Sequence, residues 1–270
     1  VLGETMDRED DDPQITSNSY GFSNGDDDGW DDSSRSIDWY VRNWNLHSVG
    51  MYSTGNGAPG YGTVAPPKPR TGMHIAASTQ MGSTGWDSAF ETSQITFGDV
   101  TPWSNRGPGA LGDVGPTVAT DGAYAAGANP INSVSTNASR PEYSRSGEFA
   151  NVTWGGTSRS SPIAAGLMAL VYQAYRDTHG DWPTWYQAQQ IAMASARFNG
   201  YDPMTVGAGV MDAGDAVRMA SGKHGVYADP PQWAPGSYRD AVYEGFARMM
   251  HEGDAQTDTV TLYNTAAAPT

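Results

Sequence analysis

The chain has 270 residues, of which 38% are hydrophobic and 11% aromatic, and this composition is sufficient for a large buried core. Its formal net charge of −15, with only two lysines, argues against a nucleic-acid partner, because phosphate binding requires clustered Lys and Arg. The absence of cysteine excludes disulfides, thiolate metal sites and a cysteine nucleophile, and no segment approaches the roughly 18 apolar residues that a membrane helix needs.

The first third of the chain predicts short strands around one amphipathic helix. A weakly alternating segment at 15–20 and apolar segments at 46–53 and 72–78 are typical of strands, the last two buried. A helix is predicted over 33–44, where Ser33 or Ser34 would cap the N-terminus. Its apolar face would consist of Ile37, Val41 and Trp44.

A loop rich in Gly and Asp, NGDDDGWDD at 24–32, separates the first strand from this helix. Calcium prefers about six to eight hard oxygen ligands, so Asp26, Asp28 and Asp31 are candidate ligands. The spacing does not match an EF-hand, and consecutive aspartates cannot all face one ion. A solvated acidic loop is therefore the favoured interpretation, with a calcium site as the alternative.

The second half predicts a long helix over 158–175, with Pro162 in its first turn, where a missing N–H is tolerated. Its apolar stripe would consist of Ile163, Leu167, Leu170, Val171 and Ala174. Further helices are predicted over 185–198 and 212–219, and strands over 94–97, 151–154 and 258–263. Strands interleaved with helices in a chain with 33 glycines indicate a layered α/β fold.

The segment GGTSRSSPIAAG at 155–166 contains three serines. Ser158 follows two glycines that let the backbone approach a substrate, and it lies where a helix begins. Helix N-termini carry positive partial charge, so an oxyanion formed beside Ser158 would be stabilised there. The residues alone leave two roles open for Ser158, a nucleophile or an ordinary N-cap.

This serine segment resembles the serine motif of the subtilisin-like proteases, or subtilases, and other segments resemble that family in the same order. They are ITSNSYG at 15–21, STGNG at 53–57, GTVAPPKPRTGMHIAAS at 62–78, FGDVTPWSNRGP at 97–108, DVGPTVATDG at 113–122 and VGAGVMDAGDAV at 206–217. The resemblance covers about 14–220. It implies a three-layer α/β fold with a mostly parallel central sheet, of which this chain lacks the N-terminal strands and helices.

The resemblance also implies residue roles. Ser158 would be the nucleophile, and Asn56 would donate its side-chain amide to the oxyanion together with the Ser158 backbone N–H. Without the resemblance, Asn56 reads as a turn asparagine beside glycine. Substrate-binding residues would be Ser19, Tyr20, Gly21, Thr54, Gly55 and Thr157, with the loop at 60–67 lining the pocket for the residue before the scissile bond.

A subtilase carries its catalytic Asp and His before the substrate-binding strand, and the chain begins at about that strand. None of the five histidines lies in a matching context: His47 and His74 are in strand-like segments, His179 is in a loop, and His224 and His251 follow residue 220. The expected partner is therefore an N-terminal segment of the same precursor that supplies Asp and His. A non-catalytic scaffold or cell-envelope component is the alternative, and a sedolisin-type acid protease is a weaker one.

Residues 1–220 are thus interpreted as the C-terminal portion of a subtilase catalytic domain, and 221–270 as a linker and the beginning of a β-rich extension. The expected activity is that of an extracellular or cell-surface serine endopeptidase acting on peptide or protein substrates, with calcium as a candidate ion and no organic cofactor. Arg159 departs from the family, which often has an apolar residue after the nucleophile, and it would place charge near the primed side.

Overall fold

The structure is a computed structural model of the 270-residue chain. It describes residues 12–21, 31–57, 60–65, 67–79, 99–109, 114–123, 125–128, 151–229, 237–238, 241–242, 251–255, 257 and 259–266. The strand predicted at 94–97 lies outside the described residues. No helix in these ranges is long and apolar enough to cross a membrane.

A four-stranded parallel sheet forms the centre of the fold. Its strands are β1 (Ile15–Asn18), β2 (Val49–Ser53), β3 (Met73–Ser78) and β4 (Val118–Asp121), in the order β1-β2-β3-β4. Every residue of β2 and β3 is buried, as expected for parallel strands whose two faces are both covered. The predicted α/β class with a mostly parallel sheet is confirmed.

The helix between β1 and β2, α1 (Asp32–Asn43), begins one residue earlier than predicted. Its N-cap is Asp31 rather than a serine, because the Asp31 carboxylate accepts a hydrogen bond of 2.9 Å from the Ser34 backbone N–H. The predicted apolar face is also wrong at Trp44, which is 57% exposed. The buried residues of this helix are Ser34, Asp38 and Val41.

Asp38 is buried because it organises the segment before β3. Its carboxylate accepts hydrogen bonds from the Thr71 backbone N–H at 2.8 Å, the Thr71 hydroxyl at 2.9 Å and the Arg70 backbone N–H at 3.1 Å. A buried carboxylate is tolerated when donors surround it in this way. The contacts therefore join α1 to the turn that leads into β3.

We expect Asp38→Ala to lower the free energy of unfolding by about 3 kcal/mol, since it leaves two backbone N–H groups and a hydroxyl without their acceptor. Asp32→Ala is the matched control on the same helix, because the Asp32 side chain is exposed and its one contact among the described residues is a 3.7 Å ion pair with Arg35. Its cost should stay under about 1 kcal/mol. Urea unfolding of the three proteins measures both values, and equal losses would contradict the role given to Asp38.

The longest helix, α2 (Thr157–His179), packs against all four strands of the sheet. It ends at Gly180, whose φ of +80° is a left-handed conformation that favours glycine. Its buried apolar residues are Ala164, Met168, Val171 and Tyr172. Of the predicted stripe, Val171 is buried and Ala174 packs against the core, whereas Leu170 is 50% exposed.

Shorter helices cover the rest of the core. They are α3 (Trp185–Ala194), α4 (Pro203–Val206) and α5 (Ala213–Ala220). Helix α3 ends four residues earlier than predicted, because Arg197 leaves the helical path and forms an isolated bridge with Val210. The shared core contains Val49, Met51, Met73, Ile75 and Val118 of the sheet and residues of α2, α3 and α5.

The remaining described strands form two-stranded antiparallel pairs. They are β5 (Ala125–Ala128) with β6 (Asn151–Trp154), β7 (Val226–Asp229) with β10 (Thr261–Asn264), and β8 (Ser237–Tyr238) with β9 (Ala241–Val242). Strand β6 has the predicted bounds. Strand β10 begins three residues later and ends one residue later than the strand predicted over 258–263. The β6 strand leads directly into the start of α2.

Candidate active site

Ser158 is the second residue of α2 and is not its N-cap. The N-cap is Gly156, which has a φ of +145° and makes no side-chain capping bond. This backbone conformation favours glycine, and a Cβ at Gly156 would also lie 3.3 Å from the Asn56 side-chain nitrogen. The N-cap alternative for Ser158 is therefore wrong.

The three serines of this segment occupy different environments. Ser160 and Ser161 are fully buried, and their hydroxyls donate to the carbonyls of Thr120 at 3.4 Å and Met51 at 2.9 Å. Ser158 is half-buried, and within the described part of the chain its hydroxyl has no hydrogen-bond partner. Ser158 is thus the serine whose hydroxyl is available for chemistry.

Asn56 lies beside this helix start, two residues after β2 ends. Its Oδ1 accepts hydrogen bonds from the Thr157 backbone N–H and the Thr157 hydroxyl, both at 2.8 Å. Because a backbone N–H can only donate, the amide oxygen must face Thr157, and the Nδ2 donor is left for another acceptor. The structure therefore brings Asn56 against the residue that precedes Ser158.

Thr157 also holds Gly55, since its hydroxyl accepts a hydrogen bond of 3.1 Å from the Gly55 N–H. Thr54 is buried, and its hydroxyl donates to the Ile75 carbonyl at 3.3 Å. The Thr54 side chain is thus directed into the sheet. The backbone of 54–56 reaches the helix start through Gly55 and Asn56.

Ser19 continues β1 at its carboxyl end and binds α2 directly. Its hydroxyl donates a 2.8 Å hydrogen bond to the Ser158 carbonyl. In a regular helix that carbonyl would accept the N–H of residue 162, but Pro162 has none. Pro162 therefore frees the carbonyl for Ser19, and the exposed residues Tyr20 and Gly21 follow at the same edge.

Arg159 is engaged by a carboxylate at the end of β4. Its guanidinium lies 2.9 Å from Asp121, and both side chains are nearly buried, 12% and 11% exposed. Arg159 also donates to the Ala123 carbonyl, and Asp121 accepts the Ala123 N–H at 3.2 Å. The expected positive charge beside Ser158 is therefore balanced by Asp121.

Burial raises the pKa of Asp121, and the opposing effect of Arg159 does not cancel it. Folding thus favours the protonated form of Asp121. As pH rises from the pKa of this carboxyl in the unfolded state, about 3.9, through its higher pKa in the folded state, the free energy of unfolding therefore falls. We expect wild type to gain stability relative to Asp121→Asn as pH falls through this window. Chemical unfolding of both proteins at several pH values measures the difference, and a constant difference contradicts the expectation.

The five histidines all lie in the described part of the chain, and no described hydrogen bond joins any of them to Ser158. His179 is 21 residues along α2, about 32 Å at a helical rise of 1.5 Å per residue. It closes the last turn rather than lying in a loop, with its Nε2 3.1 Å from the Ala220 carbonyl. His224 accepts from Arg218 at 2.9 Å.

The other three histidines are similarly engaged. His47 lies in the turn before β2, 3.3 Å from the Pro183 carbonyl, and not in the strand itself. Burial lowers the pKa of His74 well below its ordinary value, with Lys68 and Arg70 adding repulsion, so His74 is a neutral core residue of β3. His251 pairs with Asp254 on an exposed turn, 3.5 Å apart.

The predicted calcium ligands are only partly described. Asp26 and Asp28 lie outside the described residues, and Asp31 caps α1. Partial burial raises the pKa of Asp31, but hydrogen bonds from Ser33 and Ser34 hold it below its ordinary value overall. An ion at Asp31 would compete with these bonds. Among the described residues, no group of three or more His, Asp or Glu side chains could hold a metal.

Two features of this site are not predicted by the sequence. The ion pair of Arg159 with Asp121 joins residues that are 38 positions apart, and the contacts of Asn105 have no local pattern. Asn105 is buried and contacts Gly55 and Gly57 on either side of Asn56. The release of the Ser158 carbonyl could have been found, since Pro162 stands four residues after Ser158 in the sequence.

Comparisons with known proteins bear on the family and the fold of this chain. The model of the subtilase family matches residues 2–221. The self-cleaved protease domain of PatA is 17% identical, with a TM-score of 0.53 over 77% of this chain and 62% of that one. A protease of Pseudoalteromonas arctica is 18% identical, with a TM-score of 0.53 over 78% of this chain and 52% of that one.

The patellamide maturation protease PatA is similar as well, at 17% identity and a TM-score of 0.50, over 76% of this chain and 63% of that one. The chain spans less than two thirds of the length of each of these structures. A search of curated proteins finds no match. At such identities the structural likeness concerns the fold.

Proposed function

The chain belongs to the subtilase family, and on that premise we propose that it carries the nucleophile and oxyanion hole of a serine endopeptidase. The observation that carries the proposal is the arrangement at the start of α2. Within the described residues the Ser158 hydroxyl and the Asn56 Nδ2 have no hydrogen-bond partner, and Thr157 orients the Asn56 amide through its oxygen. An available nucleophile beside a fixed donor is what acyl transfer requires.

The proposed reaction proceeds through an acyl-enzyme. The Ser158 hydroxyl oxygen attacks the scissile carbonyl carbon while a base accepts its proton. The resulting oxyanion accepts hydrogen bonds from Asn56 Nδ2 and from the Ser158 backbone N–H, which lies in the first helical turn and has no intrahelical partner. The base then protonates the leaving amine, and water releases the acyl group by the reverse sequence.

Substrate would bind along the edge beyond β1. In this proposal 19–21 pair with an extended peptide as an additional strand, a mode that reads the main chain. Ser19 is fixed for this by its bond to the Ser158 carbonyl, so the substrate strand and the nucleophile share one anchor. Pairing through the main chain suits peptide and protein substrates of varied sequence.

The base is proposed to come from another segment of the same precursor, carrying the catalytic His and the Asp that orients it. The support is that each histidine of this chain has other described contacts, and that none of those contacts involves Ser158. This same observation favours the second candidate, a scaffold without catalysis, because a triad enzyme without its base retains only residual activity.

A fluorophosphonate probe distinguishes the two candidates, since it reacts with a serine only when the hydroxyl is activated. The probe should be applied to the protein purified with every polypeptide that accompanies it, and the modified residue located by mass spectrometry. Labelling of Ser158, together with a companion polypeptide bearing Asp and His motifs, supports the peptidase. Absence of labelling at every pH tested supports the scaffold.

A further inference from the structure

Asn105 holds both residues that flank Asn56. Its Oδ1 accepts a 2.7 Å hydrogen bond from the Gly57 N–H, and its own backbone N–H donates to the Gly55 carbonyl at 3.0 Å. A Cβ added at Gly55 would lie 2.3 Å from the Asn105 side-chain nitrogen, so only a glycine leaves room for Asn105 at this distance. Asn105 is 6% exposed, whereas Asn56 and Gly57 are exposed.

The segment that carries Asn105 is anchored to the central sheet. The Thr101 N–H donates to the Ala77 carbonyl of β3 at 3.1 Å, and the Ala77 N–H donates to the Ser104 hydroxyl at 3.0 Å. Gly107 donates to the Met204 carbonyl at 2.8 Å on the other side. Asn105 is thus fixed from both directions, independently of α2.

The turn at 55–57 is consequently held between two supports. Thr157 of α2 holds the Gly55 N–H and the Asn56 amide, and Asn105 holds the Gly55 carbonyl and the Gly57 N–H. Two glycines beside an exposed asparagine would otherwise sample many conformations. Stabilising an oxyanion requires a donor that is already in place before charge develops.

We propose that Asn105 is a positioning residue, which fixes the turn at 55–57 so that Asn56 presents its Nδ2 donor to the oxyanion. This inference rests on the proposed function. Asn105 acts only through Asn56 and does not contact the reacting atoms. Its removal should therefore lower kcat more than it raises KM, because the substrate main chain is held by 19–21, which Asn105 does not contact in the described structure.

The test compares Asn105→Ala with wild type in the complete assembly, in both the native and the Asn56→Ala background. We expect kcat to fall about 10- to 100-fold in the native background, as for a displaced catalytic group, and by less than about 2-fold in the Asn56→Ala background. Deuterium exchange of the peptide containing 55–57 should accelerate. Pro102→Ala, an exposed change in the same loop, is the control.

Asn105→Ser provides a second variant, since it keeps a polar group in the buried position but is too short to reach the Gly57 N–H. An equal loss of kcat in both backgrounds, or unchanged exchange at 55–57, overturns the inference while leaving the peptidase intact. If the wild-type assembly does not react with a fluorophosphonate, the proposed function fails and this inference fails with it.

Discussion

Replacing Ser158 with alanine in the assembled protein should reduce kcat for peptide hydrolysis by about 10⁶, the loss known for the nucleophile of subtilisin, the reference enzyme of this family. The reason is that no other hydroxyl of the segment can substitute. Ser160 and Ser161 are fully buried and donate to strand carbonyls, whereas Ser158 is half-buried at the helix start. KM should change little, since the alanine removes no contact with the bound substrate.

Ser161→Ala is the matched control for this prediction. It removes a hydroxyl of the same helix, but one that only donates to the Met51 carbonyl of β2 at 2.9 Å. We expect it to lower the free energy of unfolding by about 1 kcal/mol and to retain kcat within a few-fold. Initial rates with a fluorogenic peptide and thermal unfolding measure the two effects. If both variants lost activity equally, the assignment of Ser158 as nucleophile would be rejected.

The sequence predicted the parts of this molecule that depend on local pattern and order. Buried apolar segments located β2 and β3, and an apolar stripe with Pro162 in the first turn located the start of α2 to within one residue. The resemblance then placed Ser158 and Asn56 in one site, and the structure brings Asn56 against Thr157. Neither pattern required knowledge of which distant residues meet.

The features that the sequence did not predict depend on pairs of distant residues. Asp38 is buried because it accepts bonds from Arg70 and Thr71, more than thirty positions away. The apolar residues of α1 therefore did not predict its buried face, because the hydrogen bonds of Asp38 determine which side of the helix is buried. On α2 the predicted Val171 is buried, but the core also takes the small side chain of Ala164 and leaves Leu170 half exposed.

Pro162 shows how local sequence can determine a contact far along the chain. The missing N–H of proline leaves the Ser158 carbonyl unpaired within the helix, and Ser19 then donates to it across 139 positions. The nucleophile is consequently joined to the end of β1 through its own backbone. The same helix start therefore carries the hydroxyl, the link to the substrate edge and the contact with Asn56.

Asn56→Asp should lower kcat by about 10²–10³ or more, with KM nearly unchanged. The loss of about 10²–10³ is the reference value for removal of the oxyanion asparagine in subtilisin. Aspartate has the shape of asparagine and still offers an oxygen to the two Thr157 donors, so the side chain keeps its position. It replaces the Nδ2 donor by an acceptor that repels the developing oxyanion. The substitution therefore isolates the donor from the contacts that orient it.

Thr157→Val tests the orienting contacts separately. It removes the hydroxyl that donates to Asn56 Oδ1 and accepts from Gly55, and it keeps the backbone N–H that still donates to Asn56. With one of two orienting bonds retained, we expect kcat to fall only about 10-fold. Steady-state kinetics of both variants give the comparison. A larger loss for Thr157→Val than for Asn56→Asp would mean that the Asn56 amide does not face the oxyanion. The proposed role of Asn56 would then be rejected.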